Sequence, residues 1–299
     1  MFENLYLVYL APLMGVDLIL QGLFIGALFA LIAYGLALVW GVMNVKNLAQ
    51  GDMVILGGYI SYQATLWGFH PMLAMPVAIV LMFGLGWLIY ALIIRRVVDR
   101  DMFTSLLATF GLSLLIQQVL NLIYGPEVKV AESGFGNFQL DTFIIIQNVR
   151  LYSLLIAGAL AIAIVIFMKK SRMGQAIRAT AQDARAARVL GINTDRVYAF
   201  TYALNASICG AAGVLVAMIW VIQPYYGIVY SIRAFIIVTA AGLGNLPGVI
   251  LTGFGLGAWE NVAGFMFGAE FAVAAVVIML VLVLMYRLLQ SYRVRQVVR

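Results

Sequence analysis

Long apolar segments follow one another along the chain, with only short polar breaks between them. A helix needs about 20 apolar residues to cross the hydrocarbon core of a bilayer; several segments reach that length and others are too short to span alone. The pattern predicts an all-α integral membrane protein with about eight or nine spans, some of them broken or half-helices, in one transmembrane domain covering residues 1–299. The segments are Leu18–Trp40, Val54–Trp67, Met72–Ile94, Phe103–Tyr124, Leu151–Met168, Val197–Ile222, Ala234–Leu243, Val249–Glu260 and Phe271–Tyr286.

Composition excludes a soluble globular domain, because 65% of the residues are hydrophobic, 10% are charged and the mean hydropathy is +1.04. The net charge of +6 does not indicate a nucleic-acid-binding face, since apolar segments of helix length separate the basic residues. Those residues are better interpreted as determinants of topology. The single Cys209 has no partner for a disulfide or a cysteine metal site, and we interpret it as a packing residue.

Basic residues are concentrated in three stretches, which predicts that these stretches face the cytoplasm. Arg95–Arg100 carries three Lys and Arg residues, Lys169–Arg196 seven and Arg287–Arg299 four, out of eighteen in the chain. The segment between Tyr124 and Arg150 lies one span from a basic stretch on either side and belongs outside. Four spans are then needed after Arg196, so we expect the Gly-rich stretch near Asn245 to turn the chain back.

The longest polar stretch between spans is Lys169–Arg196, which is rich in alanine and contains no proline, so it predicts a helix. Apolar and small residues recur there at three- and four-residue spacing: Met173, Ile177, Ala181, Ala184 and Ala187. Gly191 lies where a helix C-terminus is expected. An amphipathic helix with so shallow an apolar face suits a groove on a partner protein. The alternative is a helix that lies on the anionic inner leaflet through its basic residues.

The same stretch carries a resemblance to a known family. SRMGQAIRATAQDARAARVLGINTDRVYAFTY, starting at Ser171, resembles the cytoplasmic coupling loop of branched-chain amino acid ABC importer permeases of the LivH type. Two further stretches, Gly35–Tyr59 and Ala241–Gly257, are similar to other motifs of that family. The chain departs from the family pattern at Leu48-Ala49-Gln50, where Phe-Ala-His is usual, at Ala240 and Ala241, where glycines are common, and in its basic C-terminal tail.

The resemblance implies a function and a set of partners. It implies a permease in the bacterial inner membrane that works with a homologous or identical second permease, two ATP-binding subunits and a periplasmic substrate-binding protein. Its cargo would be a branched-chain or other neutral amino acid; urea, short amides or aromatic acids are the alternative within the family. By resemblance, the residues that would couple the chain to the ATPase are Gly174, Ile177, Arg178, Ala181, Asp183, Ala184, Leu190 and Gly191.

Polar residues at two interruptions of the apolar pattern are candidates for the substrate pathway, because freed backbone groups in a membrane must line a cavity or be buried in protein. The first interruption, Gly41–Asp52, contributes Asn44, Asn47 and Gln50, and the second, Gly242–Gly248, contributes Asn245. The alternative is that these side chains cap helix ends or hold helices together.

Ionisable residues beside apolar segments support a second hypothesis, a secondary transporter driven by an ion gradient, for which Asp17 is the best candidate carboxylate. Asp52 lies near a predicted segment end, where water lowers the cost of its charge. Arg233 and Glu260 are expected to pair, in a structural role. No phosphate-binding loop or hydrolase motif occurs, so we expect no catalytic residues, no metal and no cofactor on this chain, and ATP hydrolysis on separate subunits.

Overall fold

Each of the nine apolar segments forms a helix in the computed structural model, which describes residues 12–98, 100–132, 134–141, 144–242 and 244–297. The predicted all-α membrane architecture is confirmed. In chain order the helices are α1 (Pro12–Met43), α2 (Gln50–Leu66), α3 (Ala74–Leu92), α4 (Met102–Tyr124), α5 (Asn148–Lys170), α6 (Arg172–Gln182), α7 (Ala184–Val189), α8 (Thr194–Ile219), α9 (Gly227–Ala241), α10 (Leu246–Phe267) and α11 (Ala269–Val297).

Six helical stretches among the described residues are long and apolar enough to cross a membrane by themselves. They are Leu13–Met43, Pro71–Arg96, Met102–Tyr124, Asn148–Lys170, Thr194–Ile219 and Pro224–Ala241. Helix α2 has 17 residues and is about 25 Å long, less than the thickness of a bilayer core of about 30 Å. It is therefore one of the short helices that the pattern predicted.

Several helices extend well beyond their apolar segments, among them α9 and α10, which the pattern did not predict. Helix α9 begins at Gly227 rather than Ala234, and α10 continues past Glu260 to Phe267. The added turns include Ser231 and Arg233, whose polar groups bond to other parts of the protein. A polar residue with a partner does not end a membrane helix, because it leaves no unsatisfied group in the apolar surroundings.

Helices α1 and α8 form the centre of the protein. In each of them, 89% of the most apolar 18-residue stretch is buried. Helix α1 packs closely against α10 through small residues. A Cβ atom added to Gly22 would lie 2.6 Å from the Cα of Ala258, and one added to Gly253 would lie 2.5 Å from the Cβ of Ala30. Spacing of small residues by four along both helices lets the backbones approach, which is how membrane helices associate without a hydrophobic driving force.

Helix α8 contacts α2 and α3 in the same way. A Cβ atom on Gly57 would lie 2.6 Å from the Cα of Gly210, and one on Gly86 would lie 2.6 Å from the Cβ of Ala206. These contacts bring the start of α2 against the middle of α8, which positions the polar residues described below.

Basic stretches lie at one end of the helix bundle, and the segment between Tyr124 and Arg150 lies at the other, as the distribution of charges predicted. Arg95 and Asp195 form an ion pair of 3.2 Å, so two of the predicted cytoplasmic stretches meet at one end. At the other end of α8, the backbones of Lys129 and Ile222 pair at 2.8 and 2.9 Å. The segment expected outside therefore lies opposite Lys169–Arg196, which we call the basic loop. It also contains a two-stranded antiparallel hairpin, β1 (Asn137–Asp141) and β2 (Ile144–Gln147), which the all-α prediction did not include.

The chain reverses between α9 and α10 at the Gly-rich stretch. Gly242 and Gly244 have φ angles of 90° and 81°, a conformation that glycine adopts without steric cost. The amide of Asn245 donates to the carbonyl of Gly242 at 3.2 Å and closes the turn. Four helices, α8 to α11, follow the loop, and the turn between α9 and α10 is where we expected it; two of the six candidate spans, Thr194–Ile219 and Pro224–Ala241, lie among these helices. Leu243, residues 1–11 and the last two residues of the basic tail lie outside the described residues.

Candidate functional site

The first interruption, between α1 and α2, is a tight backbone reversal. Asn44 has a φ angle of 55° and is exposed, and the Asn47 side chain accepts a hydrogen bond from the Ala49 amide at 3.2 Å. Asparagine tolerates the left-handed conformation better than other residues with a side chain, because its short amide bonds locally. Helix α2 then starts at Gln50.

The start of α2 lies deep in the bundle. The Gln50 side chain donates to the carbonyl of Ile32 at 3.0 Å, and Ile32 is about 16 Å along the axis from the end of α1. Asn205, which also bonds to Gln50, lies about the same distance from the start of α8. The polar groups of this interruption therefore lie near the middle of the bundle.

Gln50 and Asn205 form the centre of the site, and we call them the amide pair. Each donates to the other, at 2.9 and 3.0 Å, and both are fully buried. Asn47 donates to the same Gln50 oxygen at 3.3 Å. Gly35 of α1 packs against the Asn205 oxygen so closely that a Cβ atom there would clash. The amide pair thus closes the space between α1, α2 and α8 with satisfied hydrogen bonds.

Asp52 lies beside the amide pair and is also fully buried, which corrects the prediction that it lies where water lowers the cost of its charge. Its carboxyl group accepts hydrogen bonds from Ser113 at 2.5 Å and Gln117 at 2.9 Å, both on α4. The carboxyl group also lies in the first turn of α2, where the helix dipole favours negative charge. Protein donors therefore replace water around this group.

Side chains from α4 and α9 satisfy the backbone of the interruption. Ser231 accepts from the Gly51 amide and donates to the Leu48 carbonyl, each at 2.8 Å. Thr109 accepts from the Leu48 amide at 3.2 Å and lies 3.1 Å from the Lys46 carbonyl. Non-helical backbone at membrane depth needs such partners, because no water is available to it.

Sequence reasoning selected Asn47, Gln50 and Asp52 here but missed their partners on α4, α8 and α9. One signal was present: Ser105, Thr109, Ser113 and Gln117 recur every four residues and so share one face of α4. Asn205 and Ser231 were not selected, because neither belongs to a comparable row of four polar residues.

Asn245 belongs to a different place in the fold. It caps the N-terminus of α10, where its side chain accepts from the Gly248 amide at 3.0 Å, and it is exposed. Of the four predicted pathway residues, the structure brings Asn47 and Gln50 into contact. Asn44 is an exposed turn residue, and Asn245 is a helix cap.

The basic loop forms two helices, α6 and α7, and the prediction of one continuous helix was wrong. The break is at Asp183, whose side chain accepts from the amides of Ala186 at 3.0 Å and Arg185 at 2.8 Å. These two hydrogen bonds hold the pKa of the Asp183 carboxyl below its usual value. An aspartate competes for backbone amides and starts a new helix even within an alanine-rich sequence.

The predicted apolar face of the loop is confirmed at Ile177 and Ala187, which are buried, and differs from the structure by one residue near the end of α6. Gly174 and Ile177 are buried, and a Cβ on Gly174 would lie 2.5 Å from the Met168 carbonyl of α5. Ala181 is exposed, and Thr180 is buried in its place. The predicted coupling residues on the exposed side are Arg178, Ala181, Asp183, Leu190 and Gly191, and Ala184 is half-buried.

The predicted helix C-terminus at Gly191 is confirmed. Gly191 follows α7 with a φ angle of 84°, which is the left-handed conformation typical of a glycine after a helix. Val189 and Leu190, next to it, are 88% and 80% exposed. Two large apolar side chains therefore stand out from the surface at the basic end of the protein, beside Arg188.

Residues 18–286 match the sequence profile of a family described as the permease component of the branched-chain amino acid transport system. The chain belongs to this family. Its relatives include LivH, the high-affinity branched-chain amino acid transport system permease protein of Escherichia coli K12, at 31% identity over 89% of this chain and 91% of the relative. The corresponding protein of Pseudomonas aeruginosa, BraD, is 28% identical over 90% of this chain and 92% of its own.

The permease also resembles one solved structure, PsaBC from Streptococcus pneumoniae in complex with a Fab. The two agree with a TM-score of 0.48 and 14% identity, over 89% of this chain and 90% of the other.

The carboxyl group of Asp17 in this permease lies near the start of α1. It accepts a hydrogen bond from Gln21 at 2.6 Å, and Gln21 in turn accepts from Arg150 at the start of α5. Asp17 therefore belongs to a chain of contacts between two helix ends, at the end of the bundle opposite the basic loop.

The expected pairing of Arg233 and Glu260 is confirmed. The Nε of Arg233 donates to both carboxylate oxygens of Glu260, at 3.0 and 3.2 Å, and its Nη2 also donates to Oε1. Only 14% and 13% of the two side chains is exposed. The pair lies on the wall of a cavity of about 650 Å³ between α1, α8, α9, α10 and α11. We call it the aromatic cavity; its lining includes Phe29, Trp220, Val221, Tyr226, Tyr230, Arg233 and Glu260.

Proposed function

We propose that this chain is the transmembrane permease subunit of a binding-protein-dependent ABC importer in a bacterial inner membrane, and that its cargo is a branched-chain or other neutral amino acid. The observation that carries the proposal is the family match over residues 18–286. The names of the relatives favour amino acids over urea, short amides or aromatic acids. ATP hydrolysis would take place on two partner subunits.

The basic loop is the proposed docking surface for the ATPase subunits. Its exposed face combines the apolar side chains of Val189 and Leu190 with the charges of Arg178, Asp183 and Arg188. An apolar centre with a charged rim is typical of protein interfaces. The buried residues of the loop, Gly174 and Ile177, would act from inside the permease by fixing the position of the docking helices.

Rigid contacts connect this surface to the membrane helices. Arg178 donates to the Met168 carbonyl at the end of α5, and the Arg188 side chain donates to Thr194 at the start of α8 at 2.6 Å. A displacement of α6 and α7 by the ATPase would therefore be transmitted to α5 and α8. Helix α8 carries Asn205, so the same displacement would reach the amide pair.

The amide pair is the proposed closed point of the substrate pathway in this conformation. Both side chains are fully buried and satisfy each other, so cargo would pass only when they separate. ATP binding that favours one arrangement of the ATPase dimer would shift the permease between the open and closed states. Asn44 and Asn245 would then lie on the cytoplasmic side of this point.

Co-purification tests the proposal. The tagged chain is purified from its native host beside the variant Leu190→Asp, which places a charge at the exposed tip of α7. A matched control is Val128→Asp, at an exposed apolar residue (53% exposed) on the opposite end of the bundle. We expect ATPase subunits with the wild type and the control, and their loss from Leu190→Asp. A chain that purifies alone in all three cases would show that the importer assignment is wrong.

A further inference from the structure

The ion pair of the aromatic cavity, Arg233 and Glu260, costs free energy to bury. Ionised side chains within the membrane lose their hydration, so they pair, and by default such residues indicate a functional site. Here Arg233 of α9 and Glu260 of α10 bond to each other, and both residues line the cavity. The cavity thus presents one positive and one negative group to any molecule inside it.

We propose that the aromatic cavity binds a zwitterionic α-amino acid, with Arg233 contacting its carboxylate and Glu260 contacting its ammonium group. This inference rests on the proposed function, because it names the place in the permease where the cargo binds. The volume of about 650 Å³ lies within the range of small-molecule sites, about 300–1,000 Å³.

Charge balance makes the site selective. Arg233 and Glu260 neutralise each other, and a zwitterion that binds across them adds no net charge. A lysine or glutamate cargo would add one uncompensated charge to a region of low dielectric constant, which is strongly unfavourable. Urea lacks both charges, so it could form hydrogen bonds to the pair but would gain no attraction between opposite charges. The geometry therefore favours amino acids with a neutral side chain.

The rest of the lining suits an apolar cargo side chain. Phe29 stacks on Trp220 with ring centroids 6.1 Å apart, and the guanidinium of Arg233 lies 5.0 Å from the Phe29 ring centre. The Arg233 head is thus held on an aromatic surface with its direction fixed. Leu18, Ile25 and Val229 add aliphatic surface to the same cavity.

The position of the cavity agrees with uptake from outside. Val221 and Tyr226, at its rim, are 40% and 39% exposed and lie where α8 ends and α9 begins. This is the end of the bundle opposite the basic loop. A cargo released there by a binding protein would reach the ion pair before it reached the amide pair.

Cysteine protection tests the site without ATP or partner subunits. Val221→Cys is introduced in the full-length chain in membrane vesicles, and its modification by a methanethiosulfonate reagent is followed. Native Cys209 is fully buried and gives no background. We expect leucine and valine to slow the modification several-fold, and lysine, glutamate and urea to leave it unchanged. A matched control, Val128→Cys, lies outside the cavity and should be modified at the same rate with every solute.

Neutralising both charges separates recognition from folding. The variant Arg233→Gln/Glu260→Gln leaves no unpaired charge, so a purely structural pair would be replaced at little cost. We expect leucine protection to disappear and ATP-driven leucine uptake by the assembled complex to fall about tenfold or more, as for the loss of charged hydrogen bonds, while the ATPase subunits still co-purify.

The outcomes distinguish this inference from the proposed function. Absence of leucine protection in the wild-type cavity, or equal protection by lysine and glutamate, would overturn the inference even if the double variant does not fold. If the double variant took up leucine as fast as the wild type does, this inference would be overturned and the importer function would stay intact. Leucine protection without any ATP-driven uptake would support the cavity and reject the importer.

Discussion

The side-chain amides of Gln50 and Asn205 exchange two hydrogen bonds at the centre of the bundle, although 155 residues separate them in the chain. Gln50 stands at the start of a helix that begins inside the membrane region, and Asn205 stands in the middle of α8, one of the two central helices. The pair therefore connects the interrupted backbone to the helix that continues from the basic loop. We therefore expect the pair to contribute to stability and, under the proposed function, to transport.

Loss of one member of the amide pair should destabilise the protein. In Asn205→Ala the buried Gln50 amide loses one acceptor and one donor and keeps the Ile32 carbonyl and the longer bond from Asn47, so we expect a cost of about 1–3 kcal/mol. The control is Thr201→Val on the same helix, because Thr201 is equally buried but bonds only to the Val197 carbonyl of its own helix. Thermal unfolding of the purified proteins in detergent measures both. An equal fall in Tm for Asn205→Ala and Thr201→Val would mean that the amide pair stabilises the protein no more than an ordinary buried hydroxyl does.

The donors around Asp52 should matter more than its charge. In Ser113→Ala/Gln117→Leu the buried carboxyl group loses both side-chain donors, each worth about 1.5–3 kcal/mol when the acceptor is charged. Adding Asp52→Asn to this double variant removes the unsatisfied charge and should restore part of the lost stability. Denaturation in detergent would show this as a higher midpoint for the triple variant. A lower midpoint would contradict the assigned role of Ser113 and Gln117.

The sequence predicted the helices well and the site only in part, for physical reasons. Bilayer thickness determines how long an apolar run must be, so all nine segments correspond to helices. Helix ends were less predictable, because Ser231 and Arg233 are tolerated only through partners far away in the chain. The break at Asp183 had a local signal, an N-capping residue, but the alanine-rich surroundings suggested one helix. The partner of Gln50 depends on tertiary packing, which one sequence does not reveal.

Asp183 should give α7 a stability that depends on pH. Its folded-state pKa lies below the usual value of 3.8 because the amides of Ala186 and Arg185 bond to the carboxylate. A lowered pKa means that the stabilisation is fully present above the unfolded pKa and is lost as the pH falls through the folded pKa. The α7 amides should therefore be protected from hydrogen exchange near neutral pH. Under strongly acidic conditions their exchange rate should rise relative to that of the other amides of the protein.

Two variants at this position check the assignment. Asp183→Ala removes the cap and should open α7 at every pH, while Asp183→Asn keeps an acceptor oxygen and should abolish only the pH dependence. If Asp183→Ala exchanged like the wild type at neutral pH, the cap would not hold α7.

Contact between α1 and α10 should tolerate no side chain larger than hydrogen at Gly253. A Cβ atom there would lie 2.5 Å from the Cβ of Ala30 and 2.7 Å from its Cα, so Gly253→Ala must force the two helices apart. Gly255, two residues on, is exposed and has nothing within 4 Å of an added Cβ. Gly255→Ala should therefore be neutral or more stable by up to about 1 kcal/mol, through the higher helix propensity of alanine.

Expression level and thermal unfolding of the two variants in detergent decide this prediction, because they differ in position by only two residues of one helix. We expect a large loss for Gly253→Ala and none for Gly255→Ala. Since Phe29 and Glu260 lie on the same two helices, a displaced contact should also reshape the aromatic cavity. Comparable stability for both variants would show that α1 and α10 are free to separate at this point, and the small residues between them would then need another explanation than close packing.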